Sequence, residues 1–315
     1  MSKCLYCYED LPADVKNEFH TVCAKKIFGA TGVPELPYVL SEMAKLAKLV
    51  IERSVAVPGV QPKISMEIIE EELKTGKSGR MTVLDALEGQ YILKPPNEDF
   101  PMMPENEHLT MLLAKAFKIS VVPSSLMRLK SGELCYVSKR VDRRKGGEML
   151  HMIDFLQILG LDDKYRGTME QVGKKVGELS ARILYDKFRF FELAIFNFIV
   201  GNNDMHLKNF SMLLSPDGWQ LSPAYDLLNV KIILTKDEED LALKLGGKKK
   251  KHNSGYFERF AEVLGLEKKQ FNSVMLRIGS WLPEAEKLIG RSFLSPDLQE
   301  AYRKTLHERI GRLGL

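Results

Sequence analysis

The segment GNNDMHLKNF, residues 201–210, limits the fold more than any other. It follows a phenylalanine-rich stretch over 188–200 that is apolar nearly all round, the pattern of a helix central to a helical unit. After it comes NFSMLLSPDGWQLSP, an apparent β-hairpin whose turn is signalled by Pro-Asp-Gly, and then PAYD at 223–226. An antiparallel hairpin brings its two ends side by side. Asp204, Asn209 and Asp226 are therefore expected to converge beside a small sheet.

The remaining sequence divides by pattern. Between 54 and 140, SVAVPGVQPKISMEII reads as a strand, a Gly/Pro turn and a second strand; GQYILKPP, VVPSSLMRL and LCYVSKRVD read as further strands. One amphipathic helix, ENEHLTMLLAKAFK, interrupts them, with acids early and lysines late as the helix dipole prefers. From 141 to 315 helical patterns dominate: HMIDFLQILGL, EQVGKKVGELSARIL, the phenylalanine-rich run, and everything from Ser254 onward. This order predicts an α+β protein with a β-rich lobe over 54–140, a mainly helical lobe over 141–315 and a ligand cleft between them. Residues 31–53 read as a Gly/Pro-punctuated linker and a helix around SEMAKLAKLVIE.

At 315 residues, 44% apolar and 28% charged, the composition is that of a globular protein with a sizeable core. A balance of 46 basic against 42 acidic residues, +4, is too weak to argue for direct nucleic-acid binding. No run approaches the ~18 apolar residues of a membrane span, and MSKCLYCYEDL lacks the layout of a secretory signal. A cytoplasmic protein without a membrane partner is expected.

Residues 1–30 stand apart. Cys4-x2-Cys7 and His20-x2-Cys23 supply three thiolates and one imidazole in two short pairs, the layout of a closed, structural zinc-knuckle-like site. The plainer reading makes CLYC a small buried turn with His20 an incidental neighbour. Zinc is favoured because four ligands are present and so short a segment has little core of its own. Cys135, in the apolar context LCYV, reads as a buried hydrophobe, and His108, His151, His252 and His307 show no ligand spacing.

An Asp followed five residues later by an Asn, with a second Asp beyond a hairpin, suits phosphoryl transfer. One carboxylate orients the attacking hydroxyl, while the amide and second carboxylate hold Mg²⁺ on ATP phosphates. Lys208 is placed to neutralise the moving phosphoryl, and His206 to brace the loop. The ordinary alternative is that Asn-Asn-Asp is turn chemistry. In the β-rich half, Lys94 ends the strand YILK and Glu107 opens the next helix, so that the two can pair and reach the α/β-phosphates. PGVQPK, with Gly59, Val60, Gln61 and Lys63, is either the turn that covers the phosphates or a simple hairpin cap.

PGVQPK, ILKPP, ENEH, KRVDR, GNNDMHLKNF and PAYD, in this order, resemble the HipA-like serine/threonine kinases of bacterial toxin–antitoxin systems, above all the short HipT type. The resemblance covers roughly residues 54–315 and implies a two-lobed protein-kinase-like fold. It implies Asp204 as catalytic base, Asn209 and Asp226 as Mg²⁺ ligands, Lys94 on the ATP phosphates, Gly59 to Lys63 as phosphate loop, and Lys139 and Val141 beside adenine. It further implies a protein phosphoacceptor, an aminoacyl-tRNA synthetase in known members, and restraint by a helix-turn-helix antitoxin. Two departures stand out. Ala56 and Pro58 fall where the family's autophosphorylated serines are expected, leaving Ser54 and Ser65 as candidates. The stretch before Ser54 is also too short for the family's additional amino-terminal subdomain, which a separate small protein would then supply.

Two other functions fit these residues: a silent kinase-like binding protein that partners an antitoxin, and a small-molecule kinase, which shares the Asp-x4-Asn loop. Lys248 to Lys251 form the densest basic run, read as a solvated turn or else as a contact for acidic protein or RNA. Arg140, Arg143, Arg144 and Lys145 form a second basic group that either attracts nucleotide or stays wet.

Overall fold

The computed structural model describes residues 2–15, 17–43, 45–46, 63–68, 79–83, 89–97, 99–144 and 148–315. They form two compact units: Met1–His108 with Val122–Glu148 and Arg291–Phe293, and Leu109–Val121 with Met149–Gly290 and Leu294–Leu315. No helix among the described residues is long and apolar enough to cross a membrane.

The first unit is built on an antiparallel sheet of β1 (Ile64–Ile68), β2 (Met81–Val83), β3 (Tyr91–Lys94), β4 (Ser124–Arg128) and β5 (Leu134–Lys139), in the order β2-β1-β3-β5-β4. Alternation places Ile64, Met66, Tyr91, Leu93 and Val137 in the core. Helix α1 (Thr21–Phe28) and the start of α2 (Met103–Ala116) complete this unit. Pro104 stands in the first turn of α2, where its missing N–H costs nothing. Of the helix expected around 41–52, residues 40–43 and 45–46 are helical and the others lie outside the described residues, as do the first strand and the turn of SVAVPGVQP.

The second unit is mainly helical. Helix α5 (Ile183–Ile199) is its axis, and every residue from Phe190 to Ile199 is buried, Glu192 and Asn197 included. Phe190 meets Phe210 and Phe260, Phe196 meets Trp281, and Phe198 meets Phe257, all at ring centroid separations of 5.0–6.0 Å. Of these partners Phe257 and Phe260 stand on α6 (Ser254–Val263) and Trp281 on α7 (Lys268–Arg291); a last helix, α8 (Pro296–Arg312), closes the chain.

Two helical readings need correction. In HMIDFLQILGL, Met152–Asp154 is a strand, β6, and only Phe155–Ile158 is helical, forming α3. Asp154 and Gln157 make a reciprocal capping box, so the aspartate starts a helix instead of sitting inside one. The expected hairpin, β7 (Ser211–Ser215) and β8 (Gly218–Leu221), thereby gains a third strand, in the order β6-β7-β8. In EQVGKKVGELSARIL, α4 (Met169–Leu179) stops at Ser180, whose backbone is extended and whose hydroxyl donates to Asp186 at 2.7 Å.

Asp186 is fully buried and organises this region. Its carboxylate also accepts from the backbone N–H of Leu221 at 2.9 Å and pairs with Arg189 at 3.3 Å. Arg189 in turn donates to the carbonyls of Leu221 and Ser222. One carboxylate thus holds the end of β8, and the chain entering PAYD, against α5. Replacing Asp186 with alanine strands a guanidinium and a buried N–H, and is expected to cost about 3–5 kcal/mol in urea unfolding.

Candidate functional site

The polar loop begins where α5 cannot continue. Gly201 has φ +71°, and a Cβ there would meet Thr305 at 2.8 Å, so glycine alone fits the turn. Asn202, fully buried, then donates to the side chain of Asn197 at 2.7 Å and fixes the loop's departure. The backbone N–H of His206 returns to the Asp204 carbonyl at 2.8 Å, and Leu207–Asn209 form a single 3₁₀ turn. Asn209, 5% exposed, donates its amide nitrogen to the Asp204 carbonyl at 3.2 Å. That contact commits the nitrogen and leaves the side-chain oxygen as the ligating atom.

On the far side of the hairpin, Tyr225 bonds Ser211 at 2.5 Å and lies 3.1 Å from the Lys208 carbonyl, tying PAYD to the loop. Asp226 follows it in a left-handed conformation, φ 60°, rare for a residue with a Cβ. Half-buried Asp226, buried Asn209 and half-buried Asp204 offer hard oxygen donors, the set that suits Mg²⁺. Lys208 is exposed. His206 is buried and meets the ring of Tyr165 edge to face at 5.3 Å, a bracing position. Tyr165 donates its hydroxyl to Asp204 at 2.6 Å. Burial and then that bond push the Tyr165 phenol above its ordinary range. The sequence reading missed Tyr165, which lies 39 residues away in the unpatterned segment DDKYRG.

In the first unit Lys94 and Glu107 form an ion pair at 2.6 Å with side chains 4% and 2% exposed. Tyr136, opposite Lys94 across the β3–β5 ladder, presents its ring 5.4 Å from the ammonium. Lys139 ends β5, and burial lowers its pKa; Val141 is half-buried just beyond. Arg140 and Arg143 are not wet: both pair with Asp142, at 3.0 and 2.6 Å. Burial acts to raise the Asp142 pKa, but the two guanidiniums outweigh it and hold the carboxyl below its usual range. Ser65 lies on β1, an interior strand, 7% exposed and accepting from Arg140 at 3.3 Å. Lys63 is exposed, while Ser54, Gly59, Val60 and Gln61 lie outside the described residues.

The ligand atoms of Cys4, Cys7, His20 and Cys23 all lie within 4.8 Å of one another. His20 Nδ1 faces the sulfurs, 3.5 Å from Cys7, while Nε2 lies 3.1 Å from the Asp10 carbonyl. Anchoring of the outer ring nitrogen by a carbonyl is the arrangement that presents the inner one to a metal. A hydrogen bond from Cys7 holds the Cys4 thiol well below its ordinary range, and the same bond raises Cys7. The donor set fits tetrahedral zinc. Cys135 is buried, which pushes its thiol up and makes it inert.

The HipA-like C-terminal domain family matches residues 55–285. A Haemophilus influenzae protein named "Putative kinase" is 25% identical over 317 residues, spanning 90% of this chain and 88% of that protein. The serine/threonine-protein kinase toxin HipA of Shewanella oneidensis is 26% identical over 257 residues, covering 73% of this chain and 56% of the toxin. In a solved structure of Shewanella oneidensis HipA with HipB and operator DNA, a chain superposes with a TM-score of 0.68 at 21% identity. That match covers 88% of this chain and 71% of the other, and shows the same fold. With the family match spanning most of its length, the chain belongs to the HipA-like family.

Proposed function

We propose that the chain is an ATP-dependent serine/threonine protein kinase that transfers the γ-phosphoryl of Mg-ATP to a protein hydroxyl. The observation that carries this reading is the buried Lys94–Glu107 pair. Burying an ammonium and a carboxylate costs several kcal/mol per ion unless the geometry repays it. A strand lysine fixed by a helix glutamate is the pair kinases use to hold the α/β-phosphates. Bound Mg²⁺ supplies neutralisation of the phosphate charge. Asn209, through its side-chain oxygen, and Asp226 would hold it. Asp204 accepts the proton of the acceptor hydroxyl as that oxygen bonds to the γ-phosphorus, and ADP leaves with the bridging oxygen. Tyr165 and His206 hold the Asp204 segment. Lys208 meets the transferring phosphoryl, Gly59 to Lys63 cover the phosphates, and Lys139 and Val141 border the adenine.

The same reading takes residues 1–30 as a zinc segment, 31–53 as its connection, and 54–140 and 141–315 as the two lobes. It makes the protein a cytoplasmic growth-arrest toxin restrained by a helix-turn-helix antitoxin. The likeness to the Shewanella toxin, whose solved complex contains HipB and operator DNA, supports the antitoxin partner.

Labelled-phosphate transfer from Mg-ATP into a cell extract tests the activity. Asp204→Ala is expected to lower transfer by about 10²–10⁴-fold, the usual weight of a general base. Asp226→Ala and Asn209→Ala are expected to lower transfer and to raise the Mg²⁺ concentration it needs, and mapping of the labelled wild type tests Ser54 and Ser65. Label only in a metabolite would make this a small-molecule kinase, and none at all a silent binding protein. Elemental analysis is expected to find one zinc per chain, lost in Cys7→Ala together with protease resistance of residues 2–28.

A further inference from the structure

The zinc segment is joined to the Lys94–Glu107 pair by a short relay of named contacts. Tyr8 directly follows the ligand Cys7, is fully buried, and has a left-handed backbone, φ 65°. A non-glycine residue holds that conformation at a cost of order 1–3 kcal/mol, so something must keep it there. The neighbouring ligands do so in part: Tyr8 N–H donates to the Cys4 carbonyl at 2.9 Å. The Tyr8 hydroxyl then meets His108 Nδ1 at 3.0 Å, inside a buried aromatic nest with Phe293. His108 is the residue after Glu107, on the first turns of α2.

Other contacts fix the same segment to the same elements. The Leu5 carbonyl, one residue after Cys4, accepts from Leu126 N–H and the Ser125 hydroxyl on β4, both at 3.2 Å. Tyr91, at the start of the strand that ends in Lys94, donates its hydroxyl to the Ile27 carbonyl at 3.2 Å, on the helix that carries Cys23. The segment that carries the metal ligands is therefore bonded, through Tyr8 and Ile27, to both members of the ion pair's scaffold, the helix of Glu107 and the strand of Lys94.

We propose that the Cys4–Cys7–His20–Cys23 zinc site is a nucleotide-affinity control, setting Glu107 against Lys94 through the positioning residues Tyr8 and His108. Loss of zinc by chelation releases the strained backbone at Tyr8, and α2 loses a fixed contact beside Glu107. This inference rests on the reading that zinc occupies the cluster and that Lys94 and Glu107 hold ATP phosphates.

The test uses the full chain in five forms: wild type, wild type stripped of zinc and freed of chelator before Mg²⁺ is added, Tyr8→Phe, His108→Asn and Lys94→Met. Zinc content, Mg-ATP affinity by calorimetry, and hydrogen exchange over residues 103–116 are measured on each. Tyr8→Phe is expected to keep one zinc, to exchange faster over 103–108, and to bind Mg-ATP about fivefold more weakly, the weight of one net hydrogen bond. Stripping is expected to weaken binding by at least as much. His108→Asn reaches the same contact from α2 and should match Tyr8→Phe. A zinc-loaded Tyr8→Phe protein with wild-type exchange and affinity overturns the inference, as does a stripped protein that binds Mg-ATP like the holo form. Wild-type protein that does not bind Mg-ATP, or Lys94→Met that binds it normally, would instead sink the kinase reading. Wild type without zinc would sink the metal reading.

Discussion

The ion pair between Lys94 and Glu107 governs the first unit. Neither group has water to fall back on, so the end of β3 and the opening of α2 are held at one separation: 2.6 Å between nitrogen and oxygen. Register follows from this. Lys94 faces Tyr136 across the ladder, and slipping β3 by one residue would turn the ammonium to the opposite face of the sheet. Apolar packing resists the same slip, because it would turn Tyr91 and Leu93 out of the core.

The second unit uses the same device with different residues. Asp186 gathers a serine, an arginine and a backbone N–H at the point where α5 meets β8, and its neighbour Arg189 holds the next two carbonyls. Around that point the core is phenylalanine on phenylalanine, which supplies stability with little positional precision. The directional bonds at Asp186, Asn197 and Tyr225 decide where the polar loop and PAYD lie.

Much of this was legible in the chain. Helix and strand identity over 91–139 and the burial of the 188–200 run followed from hydrophobic period, and the hairpin followed from Pro-Asp-Gly. The Lys94–Glu107 pair was legible because a strand-ending lysine and a helix-opening glutamate are 13 residues apart, near enough for one connection to bring them together. What escaped has a common cause. Tyr165 with Asp204, Tyr8 with His108, and Asp186 with Leu221 join residues 39, 100 and 35 positions apart, and no local pattern encodes such pairs. β6 escaped because MID is too short to show a period, and Asp154 looks the same inside a helix as at its cap.

The lysine run after Gly247 acquires a different character once folded. Lys249 and Lys250 meet Glu239 and Glu238 at 3.3 and 3.2 Å, so the run is matched against the acidic stretch just before it. Lys248 and Lys249 also lie over the rings of Tyr256 and Tyr165, at 5.7 and 5.6 Å. A polyanion approaching this loop would have to displace carboxylates already in place, so little counterion release would accompany its binding. Two of the four lysines in the densest positive run of the sequence are thus matched within the loop, and ionic strength should act on those pairs by loosening the loop from within.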